Sequence, residues 1–333
     1  MGRQRTAEDI LRTGGSFQQA CVLTAAAELD VFTHLHRQSA TAEALAGRMG
    51  WDVRATAIML DALTGMELLT KDGGVYSAAE EAAGLLSGES SGNLLAMLRH
   101  QHNCLRRWSQ LADVVKTGGP ATCERDDAQQ QEDLEAFIGG MHNVSVGITE
   151  TVLGHLAPLR FDHLLDIGGA SGTWTIAMLR KNPKGRATLF DLPAVTPMAK
   201  RRLSDEGMLE RVTIAAGDYT TDAMPGGADM AWLGAICHQN SRQLNRDLFA
   251  KIHRALAAGG RLVIRDVVME PSHAQPAYGA LFAVNMLVAT EAGGTYTFDE
   301  YREDIEQAGF ENVRLIHRDE GMNSLIEASK ASS

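Results

Sequence analysis

Residues 161–180 read FDHLLDIGGASGTWTIAMLR: a short aliphatic run, a turn rich in glycine, then apolar residues at helical spacing. The glycines at 168, 169 and 172 let the backbone turn tightly and come close to a ligand, at the carboxyl end of a strand and beside a helix N-terminus. This stretch predicts the first strand–turn–helix unit of an open, doubly wound sheet. Four further runs of strand length follow: ATLFDLP (187–193), VTIAAGDY (212–219), DMAWLGAIC (229–237) and RLVIRDVVM (261–269). Helical stretches lie between them, and strand alternating with helix implies an α/β domain from about residue 156 onward.

The turn also points to a ligand class. Asp191 lies nineteen residues after Gly172, at the end of the second strand, where a carboxylate can accept hydrogen bonds from ribose hydroxyls. The third glycine of a G-x-G-x-x-G pattern is lacking, which argues against a dinucleotide. Asp218 and Tyr219, after the third strand, offer a carboxylate and an aromatic ring suited to adenine. An adenosyl ligand without a pyrophosphate is favoured.

The first half of the chain reads differently. Helical segments at 16–36, 41–49 and 52–69, the latter two opening on Thr41 and Asp52 as caps, precede a hairpin at 71–76. Three helices and a hairpin in that order form a winged-helix pattern. Residues 1–98 carry seven Lys/Arg against twelve Asp/Glu, and the whole chain of 333 residues has a net charge of −11. DNA binding requires several basic contacts, so the module is read as a packing or dimerisation unit and nucleic acid is not expected as a partner. Helices at 93–117 and 132–153, separated by the loop GGPATCERDDAQQQ, should connect the two parts. The expected division is 1–92, 93–155 and 156–333. Four dispersed cysteines without a CxxC pair, and no apolar run of eighteen, suit a cytoplasmic protein without metal or membrane contact.

Taken together, the ordered motifs DxGG…G (166–172), DLP (191–193), GD (217–218), ICH (236–238), ALAAGGRLVIRD (255–266) and QAGF (307–310) resemble the S-adenosylmethionine-dependent O-methyltransferases that modify small molecules in plants and bacteria. The resemblance spans nearly the whole chain. It implies a class I methyltransferase sheet behind a winged-helix-like dimerisation domain, and a homodimer. Carried over, it assigns Asp166, Gly168, Gly169 and Gly172 to the methionine and ribose end of S-adenosylmethionine. Asp191 and Leu192 would hold ribose and adenine, and Asp218, Tyr219 and Trp232 would complete the cofactor site. His238 falls on the general base, a role an imidazole of ordinary pKa near 6.5 can fill at neutral pH. His100, Trp108, Met141 and His142 on the connecting helices, with Asn285 and Met286 on the segment LFAVNMLVAT (281–290), would face the acceptor.

Three departures stand out. Gln239-Asn240 follows the histidine where an acid and a Trp are usual, Gly234 replaces a lysine, and Thr295 stands where an acid is expected. The carboxylate that would orient His238 is therefore absent from its usual place. That leaves O-methylation as the leading reading beside S- or N-methylation, which can proceed without a base, and beside a non-catalytic adenosyl-binding regulator.

Overall fold

The computed structural model describes residues 5–332. In chain order the elements begin α1 (Ala7–Gly15), α2 (Phe17–Glu28), α3 (Val31–Arg37), β1 (Ala40–Thr41), α4 (Ala42–Met49), α5 (Val53–Gly65), β2 (Leu69–Asp72), β3 (Val75–Ala78) and α6 (Glu80–Leu86). Then come α7 (Leu95–Trp108), α8 (Leu111–Thr117), α9 (Asp127–Val146), α10 (Thr149–Gly154), β4 (His163–Ile167), α11 (Thr173–Lys181), β5 (Arg186–Asp191), α12 (Thr196–Asp205) and β6 (Val212–Ala216). The chain finishes with β7 (Ala228–Gly234), α13 (Arg242–Ala255), β8 (Leu256–Asp266), β9 (Val268–Met269), α14 (Ala277–Ala289), β10 (Tyr296–Thr297), α15 (Phe298–Gln307), β11 (Glu311–His317) and β12 (Ser324–Ser329). One compact unit takes the chain up to Arg106 together with Glu124–Asn143; the other takes Arg107–Cys123 and everything from Val144. Among the described residues no helix is long and apolar enough to cross a membrane.

In the first unit the expected winged-helix order appears, with changed boundaries. The stretch read as one helix at 16–36 breaks at Asp30, which takes a left-handed φ of 54° and accepts the Thr33 hydroxyl at 2.6 Å. Thr41 and Asp52 cap α4 and α5 by accepting the amides of Ala44 and Ala55. Helix α5 stops at Gly65, so the wing starts earlier than read: β2 and β3 pair antiparallel, and β1 joins as a third strand. The turn between them is Gly73-Gly74, both at positive φ, as a tight hairpin requires. Phe32, Leu35, Leu45, Leu60 and Leu63 are buried at the centre, and burial of each contributes about 1.5–3 kcal/mol.

The second unit holds a seven-stranded sheet in the order β11-β12-β8-β7-β4-β5-β6. Strands β8 to β6 run parallel, and β12 and β11 are antiparallel to their neighbours. The sequence reading contained the five parallel strands but not the last two. Alternation along each strand divides the core. Ala231, Leu233, Leu262 and Ile264 pack with Phe249 of α13 and Ile305 of α15. Met230, Trp232 and Val263 pack with Leu153 of α10, Trp174 of α11 and Leu203 of α12. The two connecting helices expected at 93–117 and 132–153 are four, α7 to α10, and α9 begins earlier, at Asp127.

Candidate active site

Because β7, β4, β5 and β6 are parallel neighbours, their carboxyl ends share one edge, and every acid the sequence singled out lies along it. Strand β4 ends in a turn whose φ angles are +66° at Gly168, +49° at Ala170 and +81° at Gly172, which also caps α11. A Cβ on Gly168 would fall 2.5 Å from Ile236 Cδ1. Only glycine suits that position. The Asp191 carboxylate, at the end of β5, reaches back to this turn and accepts the Ala170 amide at 2.7 Å, and also the Leu192 amide at 2.7 Å. Burial outweighs these two bonds and holds its pKa above the ordinary value. Asp166 is buried deeper. Loss of water pushes its pKa up to about 7, against the pull of a hydrogen bond from the Thr175 hydroxyl.

The remaining residues assigned to a cofactor divide by environment. Asp218 is held below the usual carboxylate range by the hydroxyl and amide of Thr220. Tyr219 donates to Asn240 Oδ1 at 3.0 Å, and burial pushes its phenol up to about 12. Leu192 is exposed on the edge itself. Trp232 is fully buried against Trp174 at 5.1 Å between ring centres, and its Nε1 has no partner among the described residues. The indole fills the space over Gly234, where a Cβ would lie 2.6 Å from Nε1. That accounts for glycine in place of the expected lysine.

His238 sits in a single helical turn, Cys237–Gln239, immediately beyond β7. Its imidazole is 6% exposed and its Nδ1 lies 2.7 Å from Asp266 Oδ1, at the end of β8. This corrects the expectation of a missing orienting acid: the acid comes from the neighbouring strand. Thr295, where an acid was expected, only donates its hydroxyl to the Gly279 carbonyl at 3.3 Å. The signal for Asp266 was present as an acid closing the apolar run RLVIRD, but pairing of β8 with β7 was needed to bring it to the histidine. A carboxylate can only accept, so the bonding proton rests on Nδ1 and the lone pair of Nε2 is left open. The departure at 240 also acquires a role: Asn240 bridges Tyr219 to Asn245, which donates to the Cys237 carbonyl at 2.9 Å. This buried relay fixes the turn that carries the histidine.

Helix α14 walls this region. Phe282 presents its ring edge-on to His238 at 4.8 Å and stacks on Tyr278 one turn earlier. One turn later Asn285 accepts the Trp108 indole N–H at 2.8 Å, which brings two of the acceptor candidates together. Met286, on the next position round the helix, is buried. His100, Met141 and His142 are half-buried in the other compact unit, on α7 and α9; the His100 ring tilts against Phe137 at 5.1 Å.

The arrangement can therefore abstract a proton at one carboxyl edge of a sheet, beside an acid-lined turn. A family model described as an O-methyltransferase domain matches residues 108–311, and one described as an O-methyltransferase dimerisation domain matches residues 12–88. The chain is similar to the tetracenomycin polyketide synthesis 8-O-methyl transferase TcmO of Streptomyces glaucescens, at 29% identity over 92% of each chain. It is also similar to the acetylserotonin O-methyltransferase of Bos taurus, at 30% identity over 90% of each. Among solved structures, "PigF with SAH" matches with a TM-score of 0.89 and 26% identity, covering 98% of this chain and 100% of that one.

Proposed function

Since the chain belongs to the O-methyltransferase family, we propose that it methylates a hydroxyl oxygen of a small molecule with His238 as general base. It is an S-adenosylmethionine-dependent methyltransferase. The residues present fit that cofactor: a backbone turn too close-packed for side chains, and three carboxylates on adjacent strand ends able to accept from hydroxyls and an amine. Gly168, Gly169 and Gly172 with Asp166 would line its methionine and ribose end, Asp191 and Leu192 would hold its ribose and adenine, and Asp218 and Tyr219 would flank its adenine. Trp232 would support them from the core. Bound there, the cofactor supplies a methyl group activated by an adjacent sulfonium.

The protein's own work is alignment, exclusion of water and removal of one proton. His238 Nε2 takes the proton of the acceptor hydroxyl as its oxygen bonds to carbon, and Asp266 stabilises the imidazolium that results. The His238–Asp266 bond is the observation that carries this reading. It also removes the reason for preferring a base-free S- or N-methylation, which rested on the lack of an orienting acid. The two relatives, an 8-O-methyl transferase of tetracenomycin polyketide synthesis and an acetylserotonin O-methyltransferase, support a small-molecule acceptor. The match at 12–88, with Phe17 exposed on it, supports a homodimer. Four cysteines remaining as thiols support a cytoplasmic location.

The test is calorimetric titration with S-adenosylhomocysteine followed by turnover with a panel of phenols. Binding without turnover would favour a regulator. A His238→Gln variant should lose about 10²–10⁴-fold in kcat on an acceptor whose pKa lies above the assay pH, and full activity would overturn the base.

A further inference from the structure

Helix α14, the wall beside His238, ends in a segment that crosses the turn carrying the base. Thr290 closes the helix: its hydroxyl donates to the Met286 carbonyl at 2.8 Å and accepts the Gly293 amide at 2.9 Å. Gly293 then passes so close to the turn that a Cβ there would lie 2.6 Å from the His238 carbonyl oxygen and 3.0 Å from that of Gln239. Only glycine fits. The Gly294 amide donates to the His238 carbonyl at 2.9 Å, and the Thr295 hydroxyl ties the segment back to α14 at the Gly279 carbonyl.

Tyr296 comes next. It opens β10, which pairs in parallel with β9 so that Tyr296 stands opposite Val268, two residues beyond Asp266. Its ring meets the buried Tyr301 edge-on at 5.9 Å between ring centres, and its hydroxyl donates to the Asn240 carbonyl, just past the histidine's turn. A carbonyl can only accept, so this bond needs the phenol protonated. Burial pushes its pKa up to about 12, which keeps the donor in place at working pH. The ring alone would pack equally well as phenylalanine, so packing does not account for the hydroxyl. Asn240 also accepts the Tyr219 hydroxyl on its side chain. One short segment thereby joins the wall, the backbone of the base and the strand that follows its acid.

We propose that Tyr296 is a positioning residue for proton removal: it holds the Asn240 carbonyl while Gly294 holds that of His238, and together they fix where the imidazole meets the acceptor hydroxyl. The inference rests on the reading of His238 as general base and adds what aims it. Asp266 secures the imidazole; the 290–296 segment secures the backbone beneath it. Because that segment also ends α14, the wall and the base share one support, and a small shift of either costs alignment.

The experiment measures S-adenosylhomocysteine affinity by calorimetry and single-turnover rates across a pH range, on one phenol protonated at neutral pH and one already ionised. Tyr296→Phe should lower kcat about tenfold on the protonated phenol with KM within about twofold, and far less on the ionised one. The deficit should close as the pH rises through the acceptor's own pKa, because an ionised acceptor needs no base. Gly293→Ala, which presses on the carbonyls of His238 and Gln239, should give the same acceptor-selective loss. Nucleoside affinity within about twofold of wild type shows that each variant folds. Full activity of Tyr296→Phe on the protonated phenol overturns the proposal, as do equal losses on both phenols or a deficit that does not change with pH. Those results leave the base reading intact if His238→Gln is impaired. Full activity of His238→Gln instead overturns that reading and this inference with it.

Discussion

His238 Nδ1 and Asp266 Oδ1 stand 2.7 Å apart, joined from the carboxyl ends of two neighbouring parallel strands, and both side chains are buried. The carboxylate is itself held in place: Oδ1 also accepts the Val267 amide at 2.8 Å and Oδ2 accepts the His238 amide at 3.3 Å. The pair thus has one geometry, and Nδ1 being engaged leaves Nε2 as the nitrogen with a free lone pair.

An Asp266→Asn substitution keeps the shape, because its side-chain oxygen can still accept from Nδ1 and from the Val267 amide, but removes the negative charge that stabilises the imidazolium. A fall in kcat of about 10²–10⁴-fold is expected on a phenol that arrives protonated. A phenol already ionised at the assay pH should lose far less, and S-adenosylhomocysteine affinity should be unchanged. Single-turnover rates on the two acceptors check this; equal losses on both would assign Asp266 a purely structural role.

Asp166 gives a signed pH effect on stability. Its folded pKa of about 7 lies above the ordinary 3.8, so from about pH 4 to 7 the unfolded carboxyl ionises while the buried one keeps its proton. Stability from this group is fully present below that window, falls across it and stays low above it. At pH 8 the cost is on the order of a few kcal/mol. In the absence of nucleoside, Asp166→Asn should therefore raise the melting temperature more at pH 8 than at pH 5. Equal shifts at the two pH values would contradict the assignment.

Gly168→Ala places a methyl against Ile236 at a φ of +66°. Backbone strain and the clash together should destabilise the protein by about 1–3 kcal/mol. Adding Ile236→Ala should relieve the clash and leave the strain, so the double variant should be less unstable than the two single losses summed. Urea unfolding midpoints measure both.

Trp108→Phe removes the indole N–H that Asn285 accepts at 2.8 Å but keeps an aromatic ring. A lost neutral hydrogen bond contributes about 1 kcal/mol. If the pair lines the acceptor site, this should appear as a severalfold rise in KM for the acceptor with kcat nearly constant. A change in melting temperature with unaltered KM would make the bond structural only.

Much of this could be read in residues alone where the signal is local. The DIGGASG turn is legible because tight turning needs glycine, and the caps Thr41 and Asp52 because a short polar side chain satisfies helix amides three residues on. The five parallel strands are legible because burial on both faces makes them continuous apolar runs. Strand β11 escaped for the same reason in reverse: ENVRLIH is mixed and half-exposed at the sheet edge, so its alternation is weak, while the buried β12, SLIEAS, holds only two large apolar residues. The helix break at Asp30 depends on one left-handed residue that periodicity does not register.

The chain's own residue order determined the βα architecture, the acid-lined turn and the placing of His238 past an apolar strand, because those depend on side-chain periods and backbone freedom within a few neighbours. Only the tertiary structure decided that Asp266, twenty-eight residues on, meets that histidine and that Arg265 lies over the Trp174 ring. Strand pairing sets both contacts, and the alternation of side chains across a sheet sends two consecutive residues of β8 to opposite faces.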